Sequence, residues 1–97
     1  MITAQTEKRK GQRIQTALPV ILKNAEGITR DVSASGVFFW TSDSTCALGD
    51  LISFSVELKR PGGRIKLKCQ GDVVRMEPRA PELGVAVKII ESAMELA

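Results

Sequence analysis

Two stretches of strict two-residue alternation, joined by a Pro-Gly-Gly turn, constrain this chain more than any other feature. Ile52, Phe54, Val56 and Leu58 alternate with Ser53, Ser55 and Glu57. After Lys59-Arg60-Pro61-Gly62-Gly63-Arg64, the residues Ile65, Leu67 and Cys69 alternate with Lys66, Lys68 and Gln70. A period of two sends successive side chains to opposite faces, so each run reads as an antiparallel strand with one face buried and one in water. Proline and glycine supply the turn between them. Such a hairpin exposes an apolar face that only further strands, or helices long enough to pack on it, can cover.

The remaining sequence offers strands. Ala17 to Leu22 predicts a first strand, with Pro19 at an edge or at a position where no N–H is needed. Lys23 to Gly27 reads as a short hairpin connection, with Gly27 supplying a positive φ, and Ile28 to Val32 as the returning strand. Val37-Phe38-Phe39-Trp40-Thr41 predicts a third strand, either buried on both faces or carrying a surface that a ligand could cover; Trp40 reads as core. Past Gln70 the alternation slips, with Val73 beside Val74 and Met76 on the other parity, which predicts a β-bulge at Gly71. Pro78 and Pro81 bound a further turn, and Leu83, Val85, Val87 and Ile89 form the last strand. Ser92 and Glu95 have the spacing of a capping box and predict a single helical turn at the end, apolar enough to plug an open end of the sheet. Six strands with short turns give an all-β fold, a small six-stranded antiparallel barrel whose closure removes edge strands. Residues 1–7 read as a flexible arm and 8–97 as one domain.

Composition excludes several functions. With no histidine and only Cys46 and Cys69 as sulfur ligands, a four-ligand zinc site has no donor set. Cys69 falls on an inward strand position and Cys46 in a loop, and both read as reduced thiols. No carboxylate–lysine pair stands out as an acid/base couple, so the expectation is a protein that is not an enzyme and holds no cofactor. No apolar run reaches the roughly 20 residues of a membrane span. The N-terminus lacks the apolar segment of a signal peptide, so the expected location is the cytoplasm.

The net charge of +3 is placed unevenly. Lys8, Arg9, Lys10 and Arg13, against Glu7, hold the whole excess within the first 13 residues, while the rest of the chain carries ten charges of each sign. A nucleic-acid binder spreads its cations over a face, whereas a localised cluster suits a compact anion. Arg9 and Arg13 are either a solubilising tail or a clamp; guanidinium groups grip phosphate bidentately, meet the guanine edge and stack on planar rings. Asp31-Val32-Ser33-Ala34-Ser35-Gly36 is either a plain turn, with Gly36 at positive φ, or a turn that aims a carboxylate and a hydroxyl at a ligand. Asp31 could accept from guanine N1–H and N2–H₂ together. Arg60 and Arg64 read as loop charges, Arg30 and Arg75 as strand-surface charges with either role open, and Lys66 and Lys68 as an outward face with Asp72 as counter-charge.

Arg9-x-x-x-Arg13 followed by Asp31-x-Ser33-x-x-Gly36 resembles the paired signature of the PilZ domain, the bacterial receptor module for cyclic di-GMP. A Leu48-Gly49-Asp50 turn and a late Leu83-Gly84-Val85 strand are similar to the family too, so the likeness spans residues 8–97. The resemblance implies that Arg9 and Arg13 hold the phosphates and guanine edges, that Asp31 and Ser33 bond the second guanine, and that Gly36 shapes the turn. Lys8 and Lys10 become secondary contacts, with Lys8 bearing on whether one ligand or a stacked pair binds. Val87 stands where the family often has an aromatic residue.

The expected function is therefore a cyclic di-GMP receptor or adaptor whose N-terminal arm changes conformation on binding and signals to a downstream protein. No DNA partner and no membrane span are expected; a partner or a second subunit, as in a homodimer, would cover the open barrel end. Two other classes stay open: a ligand-independent protein-interaction adaptor, and a small barrel for single-stranded nucleic acid, against which the neutral body counts.

Overall fold

The computed structural model describes residues 16–42 and 46–96, the side chain of Arg60 excepted. Six strands form a closed antiparallel barrel: β1 (Pro19–Ile21), β2 (Glu26–Val32), β3 (Gly36–Thr41), β4 (Leu51–Arg60), β5 (Gly63–Arg79) and β6 (Glu82–Leu96), in the order β1-β2-β3-β6-β5-β4 with β4 returning to β1. The alternation that announced β4 and β5 sets their register, with Phe54 opposite Cys69 and Val56 opposite Leu67. The core collects the inward residues of every strand, including Val20, Phe39, Val56, Val73 and Val85, with Cys46 folded in from its loop. Burial pushes the Cys69 thiol above its ordinary pKa, which keeps it protonated and inert at neutral pH.

Three local irregularities matter more than the regular ladder. On β2 the register shifts between Thr29 and Asp31, leaving Arg30 as the extra residue. On β5 it shifts between Val73 and Arg75, leaving Val74 unpaired. Beside Gly71, where the sequence predicts a bulge, the shift is real, but the extra residue is Ile90 on β6: Gln70 faces Glu91 and Gly71 faces Ile89. Gly71 is required there because a Cβ would collide with the carbonyl oxygen of Lys88 and lie 2.7 Å from Val87 Cγ1. Backbone cannot retreat as a side-chain tip can. Gly71→Ala is expected to destabilise the barrel by about 1–3 kcal/mol, read as a lower midpoint in thermal unfolding followed by circular dichroism.

Some expectations give way. The terminal helix does not form; Ser92, Met94 and Leu96 continue β6 opposite Cys69, Leu67 and Ile65. One helical turn must be nucleated at a loss, whereas each added strand residue joins a ladder β5 already offers. Glu95, the presumed capping residue, instead meets Lys68 across the strands at 3.3 Å, so Lys68 finds its counter-charge there and not at Asp72. Gly27 lies inside β2 without a positive φ, pressed toward the carbonyl of Trp40, and the β1–β2 turn is closed by the Leu22 N–H donating to Ala25 O at 2.8 Å. Pro78 sits within β5 opposite Leu83, past the reach of β4, where an absent N–H leaves no ladder bond unmade. The turn is Ala80–Pro81. Trp40 is half-buried on the outside of the barrel and is no part of the core. Among the described residues no helix is long and apolar enough to cross a membrane.

Candidate functional site

The β2 bulge decides where Asp31 points. Thr29 faces Phe39, whose ring is in the core, so unbroken alternation would turn Asp31 inward as well. The extra residue Arg30 reverses the parity: Asp31 pairs with Phe38, which lies on the outer face, and Val32 with Val37 returns to the core side. The β5 bulge does the same for Arg75, which pairs with Ala86 across from Phe38. Two bulges thus turn a carboxylate and a guanidinium onto one outer recess of about 560 Å³ between β2, β3, β6 and β5.

Asp31, Ser33 and Gly36, the candidates from the sequence, all line this recess, together with Arg30, Phe38 and Arg75. Arg30 Nε donates to Asp31 Oδ2 at 2.9 Å. Asp31 Oδ1 is buried and has no hydrogen-bond partner among the described residues. A buried acceptor left unmet costs about 1–3 kcal/mol, and such a group is a natural seat for an N–H donor from a ligand. Ser33 holds the turn closed: its N–H donates to Gly36 O at 2.9 Å, and its hydroxyl donates to Gly36 O and accepts from Gly36 N at 3.2 Å each. The serine therefore fulfils the turn role here. Gly36 is not at positive φ; it begins β3, and a Cβ would come within 3.0 Å of the Val87 carbonyl. Ser35 O accepts from Ile89 N at 2.9 Å, which ties the turn to β6.

An aromatic–cation row floors the recess and runs beyond it. Phe38 and Trp40 meet edge to face with centroids 5.2 Å apart. Gly84 makes room for both, since a Cβ there would lie 2.6 Å from Phe38 and 2.7 Å from Trp40. The Arg30 guanidinium carbon stands 3.9 Å from the Phe38 centroid, Arg75 stands 5.7 Å from it, and Arg79 covers Trp40 at 3.9 Å. Glu77 neutralises part of this charge, 3.1 Å from Arg75. Arg30 and Arg75 thus line the recess, a placement that periodicity, which leaves them as strand-surface charges with either role open, does not reveal. The adjacency of Val73 and Val74 is the trace of the second bulge in the sequence; the first leaves none.

Lys8, Arg9, Lys10 and Arg13 lie outside the described residues. A larger groove of about 1040 Å³ opens between the end of β1 and the C-terminal half of β6, lined by Leu22, Phe54, Cys69 and Ser92 among others. Its described lining has neither an arginine cluster nor a buried acceptor in want of a donor, so the smaller recess is the better candidate site.

A family model described as the PilZ domain matches residues 7–96. Among solved structures, the chain is similar to the Bacillus subtilis inhibitor of motility MotI/DgrA, with a TM-score of 0.74 and 18% identity over 88% of this chain. It spans only 44% of that protein, so the likeness speaks for the fold. No curated protein matches the sequence.

Proposed function

The chain belongs to the PilZ domain family, and on that premise we propose that it is a receptor for cyclic di-GMP that signals to another protein through its N-terminal segment. The observation that carries the reading is the outer recess, where a buried, unpartnered Asp31 oxygen stands among guanidinium groups beside the Ser33–Gly36 turn. That combination suits a ligand with both N–H donors and negative charge, which a guanine dinucleotide has and simple phosphate lacks.

The route of the chain supports a role for the upstream arginines. Thr29 Oγ1 donates to the carbonyl of Thr16 and accepts from Leu18 N at 2.9 Å, which anchors the entering chain beside β2, two residues before Asp31. Arg13 lies three residues upstream of that anchor, a span of roughly 10 Å even fully extended. Arg9 lies seven residues upstream of it, a span of at most roughly 25 Å. In this reading Arg9 and Arg13 close on the phosphates, with Lys8 and Lys10 adding field, while Asp31 accepts from a guanine edge. Differential affinity of the nucleotide for the closed arrangement makes the domain a switch, and the reshaped surface is what a partner protein reads.

Titration calorimetry with cyclic di-GMP tests it. Saturable binding by the wild type is expected, with Arg9→Ala and Arg13→Ala each weakened by at least about tenfold, since charge-assisted bonds contribute roughly 1.5–3 kcal/mol each. Absence of binding by the wild type would overturn the reading and leave a ligand-independent adaptor in its place.

A further inference from the structure

We infer that Arg30 is the base platform of this site: it stacks on one purine of the bound nucleotide while holding Asp31 in place. The inference rests on the reading of the recess as a cyclic di-GMP site and deepens it. The Arg30 guanidinium sits over Phe38, its carbon 3.9 Å from the ring centroid. Its in-plane edges face carboxylates, Nε at 2.9 Å from Asp31 Oδ2 and Nη1 at 3.9 Å from Glu77 Oε1. Among the described residues the guanidinium makes no further hydrogen bond, ion pair or ring contact, and the side chain, 41% exposed, lines the recess, which leaves room for a ring on the side away from Phe38. Phe38 cannot serve as the platform itself, because the arginines leave it only 4% exposed.

A guanidinium held in this way has already lost its rotamer freedom. A purine arriving on the side away from Phe38 therefore gains stacking and cation–π attraction without ordering a side chain. The result is a stack of Phe38, Arg30 and base. Arg75 is farther from the ring, at 5.7 Å, and is drawn toward Glu77, so it borders the stack without joining it.

The same geometry revises what Asp31 can do. Oδ2 is occupied by Arg30 and only Oδ1 lacks a partner. Asp31 thus offers the base Oδ1 outright but only the remaining lone pair of Oδ2, so Arg30 competes with a two-oxygen grip on guanine N1–H and N2–H₂. The two arrangements predict opposite signs for the loss of Arg30. A platform lost weakens binding; a competitor for Asp31 removed tightens it.

The experiment is calorimetric titration of cyclic di-GMP into the wild-type chain and its Arg30→Ala, Arg30→Lys and Arg64→Ala variants. Arg64 is an exposed guanidinium at the start of β5, away from the recess, and controls for loss of charge. Arg30→Ala and Arg30→Lys are each expected to bind roughly tenfold or more weakly, because lysine keeps the charge but has no planar face; Arg64→Ala is expected to stay within about twofold. Circular dichroism of the variants checks that the barrel is intact. Wild-type affinity in Arg30→Lys would mean that charge alone suffices, and equal or tighter binding by Arg30→Ala would make Arg30 a competitor; either overturns the platform alone. Failure of the wild type to bind overturns the receptor reading and the platform with it.

Discussion

Asp31→Ala is expected to weaken cyclic di-GMP binding by more than a hundredfold while leaving the melting temperature nearly unchanged. Among the described residues the carboxylate is the one acidic group buried in the recess, and its unpartnered Oδ1 is a standing cost to the folded state. Removing it deletes a charge-assisted contact to the base and frees Arg30 from its anchor, two losses of roughly 1.5–3 kcal/mol each. Their sum corresponds to two orders of magnitude or more in affinity. Stability moves little because the orphaned acceptor disappears with its cost, and because Arg30, half exposed, can be solvated once released. Asp31→Asn is a sharper version: it keeps the shape, loses the charge, and can point an N–H₂ where an acceptor is needed. Calorimetry and thermal melts on the same samples separate the two effects. A large fall in melting temperature with affinity retained would show Asp31 to be structural.

Phe39→Ala is expected to have the largest effect on stability. Its ring is fully buried, packs against Phe54 with centroids 5.6 Å apart, and stands at the middle of β3 between β2 and β6. Phenylalanine to alanine in a core costs about 3–5 kcal/mol, a large part of the 5–15 kcal/mol typical of a domain. For a chain of this size each kcal/mol shifts the midpoint by roughly 4–8 °C, so a fall of some 15 °C or more is expected in a calorimetric scan. Phe39→Leu should recover most of it. A variant melting within a few degrees of the wild type would mean that the barrel closes over the cavity.

The fold was largely legible because alternation is a direct image of a sheet with one wet face. Ile52 to Leu58 and Ile65 to Cys69 read at once as strands, and six such runs with short turns leave few architectures. The terminal helix misled for a physical reason: Ser92 and Glu95 carry a local signal, but the free edge of β5 is a long-range partner that no window of six residues contains. Gly27 and Gly36 misled similarly. Both looked like turn glycines, yet each is set by the close approach of another strand's carbonyl, from Trp40 and Val87.

For the site, residue types and spacing marked Asp31, Ser33 and Gly36, because an acid, a hydroxyl and a glycine in one turn are chemically distinctive. Arg30 and Arg75 were in plain view as strand-surface charges, with either role open. Their importance comes from two bulges, and a bulge is a relation between strands: Arg30 is extra only with respect to β3, and Val74 only with respect to β6. Trp40 was drawn to the core by its hydrophobicity, whereas the sheet turned it outward under Arg79, in space that Gly84 leaves open.

By itself, then, the sequence determined the class of fold, the inward residues of its alternating runs and the turn motif, since each follows from local period and composition. Which residue each bulge leaves unpaired, and with it the direction of Asp31, belongs to the tertiary structure. Side chains alternate with a period of two, so one extra residue moves every later one to the opposite face. Only the pairing partner decides where that residue goes. In this barrel the difference is between a carboxylate aimed into the core and one that lines the outer recess.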